Sequence, residues 1–167
     1  MAGRFTLLLS RGAQLSLVDW EYLLVAAKEL FIARIQHAVR PAGEILHDLQ
    51  ASPHHAITHN QVKVLSTTEL TRISWALGAA AARVPWRSDC LLRVMAADRW
   101  LHRLQIQPDF FLGVARSPTG EFMAHAWLRC GEFTVTGGSS DEFSRLLEPG
   151  IELEPVSDRS IASQVIK

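Results

Sequence analysis

SDCLLRVMAADRWLHRLQIQPDFFLGVA, residues 88–115, changes its hydrophobic period partway along. From Cys90 onward, Leu91, Val94, Met95, Ala97, Leu101 and Leu104 recur at the spacing of one helix face. From Phe110 to Ala115 the segment reads as a strand, with a period of two. The sequence ahead of this switch is helical in pattern, and the sequence behind it is extended. Helices first and an antiparallel meander afterwards make an α+β chain.

Upstream, Ser16-Leu17-Val18-Asp19 opens a helix with a capping pattern. Leu17, Trp20, Leu24, Ala27, Phe31 and Ile35 follow at helical spacing, and Leu23, Leu30 and Ile32 widen the apolar face. Pro41 and Gly43 interrupt it, and Glu44 to Leu49 reads as a short amphipathic piece. Ala51 to Gln61 reads as a loop. Ser66 and Glu69 form a second capping box, for a helix through Leu70, Ile73, Ala76, Leu77, Ala80, Ala81 and Val84 that stops at Pro85. The Cys90 helix is expected to reach about Gln105.

Downstream, Ser117-Pro118-Thr119-Gly120 is turn chemistry, Ala124 to Arg129 a second strand, Cys130-Gly131-Glu132 a turn and Phe133 to Thr136 a third strand. Ser140 is read as the cap of a short helix through Leu147, and Ile151 to Val156 as a last strand after Pro149-Gly150. Residues 1–65 form an N-terminal helical region and 66–167 the region carrying the chemistry, in one compact domain.

Seventeen Lys and Arg balance seventeen Asp and Glu. That leaves no basic field for nucleic acid and no acidic tract for disorder. Two cysteines make no disulfide framework, which points to a reducing, cytoplasmic compartment. The run Phe5 to Leu9 ends at Arg11, short of a signal peptide, and Ala2 excludes the myristoylation motif. Charges at Asp19, Glu21, Lys28, Glu29 and Arg34 argue against a membrane span over Leu17 to Val39.

A thiol at a helix N-terminus is favoured as thiolate by the unpaired N–H groups and the helix dipole. His125, inside Ala124-His125-Ala126-Trp127-Leu128, is the candidate base on a neighbouring strand, and the pair is the core of a cysteine nucleophile site. Alternation places His125, Trp127 and Arg129 on one face and Ala126 and Leu128 on the other. Cys130 reads as a bystander. His47, His54, His55 and His59 do not have a zinc spacing, so no metal is expected. Trp127 either walls the histidine or lines a substrate groove. Arg87 either steers a peptide carboxylate or oxyanion, or is an exposed charge before a helix.

These residues resemble a known family. Ala82-Arg83-Val84-Pro85, Arg87, Cys90-Leu91 opening a helix, Leu112-Gly113-Val114 and Ala124-His125-Ala126-Trp127-Leu128, in this order and spacing, look like the leader peptidase of lasso-peptide biosynthesis, a transglutaminase-like cysteine protease with a papain-like arrangement. The likeness is clear from about Leu65 to Leu147, roughly half the chain, and looser over the N-terminal helices, which are similar to those of stand-alone members.

The resemblance implies that the cysteine helix packs on an antiparallel sheet carrying the histidine. It implies that Cys90 attacks a precursor-peptide carbonyl with His125 as base and then acid, and that the acyl-enzyme is hydrolysed. No cofactor is implied. Members commonly cut after a leader with threonine in its penultimate position. Stand-alone members use a separate leader-binding protein, and a lasso cyclase follows; this chain has no room for a leader-binding domain ahead of the matched region, so such a partner is expected. The family usually has an aspartate at the end of the strand after the histidine. In this sequence the position falls on Thr136 or Gly137. Asp141 is the candidate third catalytic member; Thr136, a backbone carbonyl, or a bare dyad are the alternatives. The competing readings are acyl transfer to an amine on the same fold, as in a transglutaminase, and a non-catalytic partner-binding module.

Overall fold

A computed structural model of the 167-residue chain describes residues 15–51, 65–117, 119–138 and 143–147. These hold helices α1 (Leu17–Val39), α2 (Ala42–Ala51), α3 (Thr67–Ala81) and α4 (Cys90–Arg103), then strands β1 (Asp109–Arg116), β2 (Phe122–Cys130), β3 (Phe133–Thr136) and β4 (Ser144–Leu147). The α+β expectation holds, with the period switch falling between α4 and β1.

Local chemistry sets the helix ends. Ser16 and Asp19 form a reciprocal capping box on α1, and Ser66 and Glu69 form one on α3. Asp89 caps α4, its Oδ1 accepting from Leu92 N–H at 3.0 Å. At the other end of α4, Gln105 takes φ +62°, Ile106 N–H donates to Leu101 O and Gln105 N–H donates to His102 O. That is the reverse turn that usually recruits glycine. Buried Leu101 and Ile106 flank it, so their contact holds a glutamine in a backbone region it disfavours. The α4 helix accordingly stops at Arg103.

The strands form one antiparallel sheet in the order β3-β2-β1-β4. The expected short helix ending at Leu147 is instead strand β4, paired to β1 through Leu112↔Leu147, Gly113↔Arg145 and Val114↔Ser144. The free edge of β1 offers a row of main-chain partners, and edge pairing overrides a weak helical pattern. Ser140, the expected strand Ile151 to Val156 and the C-terminal tail lie outside the described residues.

The helices cover one face of the sheet. Phe110, Ala126, Leu128 and Val135 share a continuous core with Leu92, Ala96, Ala97 and Leu101 of α4 and with Ile73, Leu77 and Ala80 of α3. In turn, α1 packs on α3 and α4. Its buried residues are Ala26, Glu29, Leu30 and Ala33, whereas Leu17, Trp20, Leu24, Phe31 and Ile35 are exposed. The stripe of large apolar residues read at helical spacing is therefore not the buried one. The face with small residues goes inward because Ala26 and Ala33 allow close helix approach. Glu29, fully buried, binds Arg99 Nε at 3.2 Å and also Arg103 on α4, with Lys28 Nζ at 3.5 Å.

Candidate functional site

Cys90 is the first residue of α4 and is half-buried, packed against the helix-side core. The turn before it, 82–89, brings the chain from α3 beneath α1, where Phe31 meets Trp86 at 5.9 Å between ring centroids. The N–H groups of Cys90 and Leu91 belong to the first turn of a helix, where no intrahelical acceptor exists. The Asp89 carboxylate takes the N–H of Leu92 and places a negative group next to the thiol. Two polar atoms of the turn, Trp86 Nε1 and Ser88 Oγ, are buried with no hydrogen-bond partner. Arg93 Nε donates to Ser88 O at 3.0 Å, pinning the turn to the helix it precedes.

His125 lies in the middle of β2, opposite Gly113 of β1. Alternation gives it the same sheet face as Trp127 and Phe111, and the reverse face from Ala126, Leu128 and Phe110. On its own face Trp127, only 1% exposed, stacks on Phe111 at 5.6 Å with the planes 6° apart. The imidazole lies 5.9 Å from the Trp127 ring and 4.8 Å from Phe143. Its Nε2 is 2.7 Å from Gly137 O. A carbonyl can only accept, so Nε2 carries the hydrogen, and the neutral ring keeps its lone pair on Nδ1.

The structure does not join the two candidates by a bond. Cys90 packs with the helix-side core and His125 with the ring cluster across the sheet, and no hydrogen bond links them. Asp141 lies outside the described residues, as do His54, His55 and His59. Arg87 is exposed. Trp127 is placed as the wall of the imidazole, with almost no surface to offer a ligand. Cys130 is held at a pKa of about 11, chiefly by burial and further by the charge of Asp109, which suits a bystander thiol. Among the described residues there is no metal-binding cluster and no helix long and apolar enough to cross a membrane. Two clefts, of about 140 and 280 Å³, run beside α1; neither is lined by Cys90 or His125.

Glu29 escaped the sequence reading, because its arginine partners lie 70 and 74 residues away and leave no local trace. A backbone carbonyl was among the alternatives for orienting His125, but the sequence did not say which one; the Gly137-Gly138 pair was the available signal, since both adopt positive φ (+101° and +64°).

No curated protein and no solved structure matches the chain. The transglutaminase-like superfamily matches it over residues 29–148, which takes in the C-terminal part of α1, all of α2 to α4 and the whole sheet. That span exceeds half of the sequence, and the architecture of a helix opened by cysteine, layered on an antiparallel sheet that carries histidine, agrees with it. The chain belongs to the transglutaminase-like superfamily.

Proposed function

We propose that this chain is a cysteine peptidase that removes the leader from a ribosomally made lasso precursor peptide. The observation that carries the reading is a half-buried cysteine at the first position of a 14-residue helix, in a transglutaminase-like domain whose sheet presents a histidine with Nδ1 unprotonated. In this chemistry the sulfur attacks the scissile carbonyl carbon while His125 takes the thiol proton. The tetrahedral oxyanion is met by the N–H groups at the start of α4. The C–N bond breaks, and the imidazolium gives its proton to the leaving amine. Water then adds to the thioester with His125 again as base, releasing the leader acid and the thiol. The reading requires Cys90 and His125 to meet when a peptide is bound, since active-site hydrogen bonds often close only in the substrate complex.

The partners in this reading are the precursor peptide, a separate leader-binding protein and a lasso cyclase acting on the released core. The full chain is incubated with precursor and leader-binding protein, and the products are weighed. The expected result is two fragments whose masses sum to precursor plus water. Cys90→Ala and His125→Ala each abolish them while the circular dichroism spectrum is retained. Normal cleavage by either variant refutes the mechanism. A product lighter by ammonia assigns the same acyl-enzyme to transfer onto an amine.

The placement of sulfur and imidazole in separate packing groups favours a second reading, a partner-binding module. Under it the wild-type chain yields no product, and Cys90 and His125 are dispensable for whatever partner it holds.

A further inference from the structure

We propose that the main-chain carbonyl of Gly137 is the positioning group for His125, standing where related sites use a carboxylate side chain. This deepens the reading of His125 as the base, and rests on that reading only for its effect on cleavage.

Three observations converge. First, the 2.7 Å contact from Nε2 to Gly137 O lies at the end of β3, one of the two positions where the family aspartate would fall. Nε2 has a single hydrogen to donate, and the Gly137 carbonyl accepts it. A carboxylate reaching for the same nitrogen would have to displace the carbonyl. Second, residue 137 has no room for a side chain. A Cβ built there would lie 2.3 Å from Trp127 Cβ and 3.0 Å from Trp127 Cα. The φ of +101° is itself a conformation that residues with side chains avoid. Third, Trp127 cannot retreat. The far end of its indole lies 3.0 Å from where a Cβ on Gly113 would stand, so the ring is seated between two glycines. It also stacks flat on Phe111. Thus Trp127 imposes glycine at 137, and glycine at 137 turns its carbonyl toward the imidazole.

The chemistry that follows differs from that of a carboxylate-held histidine. A carbonyl fixes the tautomer and the ring plane, which keeps Nδ1 as the basic nitrogen. It supplies a dipole rather than a full charge, so the imidazolium formed after proton transfer gains less from it. Phe143, at 4.8 Å between ring centroids, packs against the imidazole and adds to what limits its rotation.

The test reads the nitrogen directly. In ¹⁵N-labelled full-length protein at a pH where His125 is neutral, the expected spectrum has the ring hydrogen on Nε2, protected from solvent exchange, and a bare Nδ1. Gly137→Ala loses that protected resonance and lowers leader cleavage by about a hundredfold, the scale of a misplaced catalytic group. Gly138→Asn keeps both, since asparagine tolerates positive φ and nothing lies within 4 Å of a Cβ there. A neutral ring protonated on Nδ1 would overturn the inference. So would loss of the protected resonance in Asp141→Ala, or full cleavage by Gly137→Asp. Should Gly137→Ala fail to fold, the wild-type spectrum still decides the matter. A protected Nε2 hydrogen in a chain that cleaves nothing would refute the peptidase reading and leave the positioning intact; cleavage with the opposite tautomer would do the reverse.

Discussion

The two cysteines sit on different elements and face different environments. Cys130 ends β2 and packs against the core, and burial together with the Asp109 charge lifts its pKa to about 11. At neutral pH its thiolate fraction is on the order of one in ten thousand, and only the thiolate attacks iodoacetamide. Peptide mapping after brief alkylation at neutral pH is therefore expected to show the label on Cys90 alone. The Cys90→Ala protein stays unlabelled until the pH is raised toward 11. Equal labelling of both thiols at neutral pH would contradict the burial of Cys130. At this scale the sequence was informative where a residue acts through its own side chain. Cys90 and His125 declare themselves by type and by the period of their segments. Gly137 acts through its main chain, and no side chain records that. The missing carboxylate was visible and a backbone carbonyl was one of its possible replacements, but the residue that supplies it was not legible.

Between elements, the tie that holds α1 to α4 is Glu29 with Arg99 and Arg103. The glutamate is fully buried, whereas the side chains of the arginines are 34% and 44% exposed. Removing either side of the tie should therefore cost different amounts. Glu29→Gln removes the buried charge and leaves arginines that can rehydrate, a loss of about 1–3 kcal/mol. Arg99→Ala with Arg103→Ala leaves the carboxylate buried with only Lys28 near it, a loss of about 3–5 kcal/mol. Urea unfolding of the two variants should rank them in that order, and the reverse ranking would mean that the arginines contribute mainly by packing. Within α4, His102 Nδ1 lies 3.2 Å from Asp98 Oδ1. The hydrogen bond to Asp98 raises the His102 pKa above 6.5, against the opposing effect of burial. A raised histidine pKa means that the protonated ring stabilises the fold. That contribution is complete below the unfolded pKa and disappears as pH climbs through the folded one. The stability advantage of wild type over His102→Gln should thus be full well below pH 6.5 and fade as the pH climbs above it. A constant difference across that range would rule out the pair as its source. The element boundaries were legible because capping boxes are local, as at Ser16 with Asp19 and Ser66 with Glu69. The orientation of α1 was not, because apolar residues occupy both its faces and only the packing of Ala26 and Ala33 selects one. Strand β4 was not legible either, since four residues at a sheet edge take their conformation from β1 rather than from their own pattern.

Across the whole molecule, the layers are interlocked in a way that argues against independent units. The α1 helix contacts both α3 and α4, α4 contacts β2 and β3, and α3 contacts β3. The helix-side core is one cluster running from Ala26 on α1 to Val135 on β3. The N-terminal helices therefore cannot leave without exposing Leu30, Leu77 and Leu101, each at most 1% exposed. At about 1.5–3 kcal/mol for each buried side chain of this size, losing three such contacts would rival the net stability of a typical domain. The N-terminal helical region and the chemistry-bearing region are accordingly proposed to unfold as one. The molecule reports on both layers, because Trp100 is in the helical core and Trp127 is in the ring cluster on the other side of the sheet. Far-ultraviolet circular dichroism follows α1 to α4, while the fluorescence change lost on Trp127→Phe follows the ring cluster. The two signals should trace a single transition with one urea midpoint. Separate midpoints would mean that the sheet and its histidine cluster hold together without the helices. The contact between α4 and β2, which sets Cys90 relative to His125, would then be the seam along which the molecule opens.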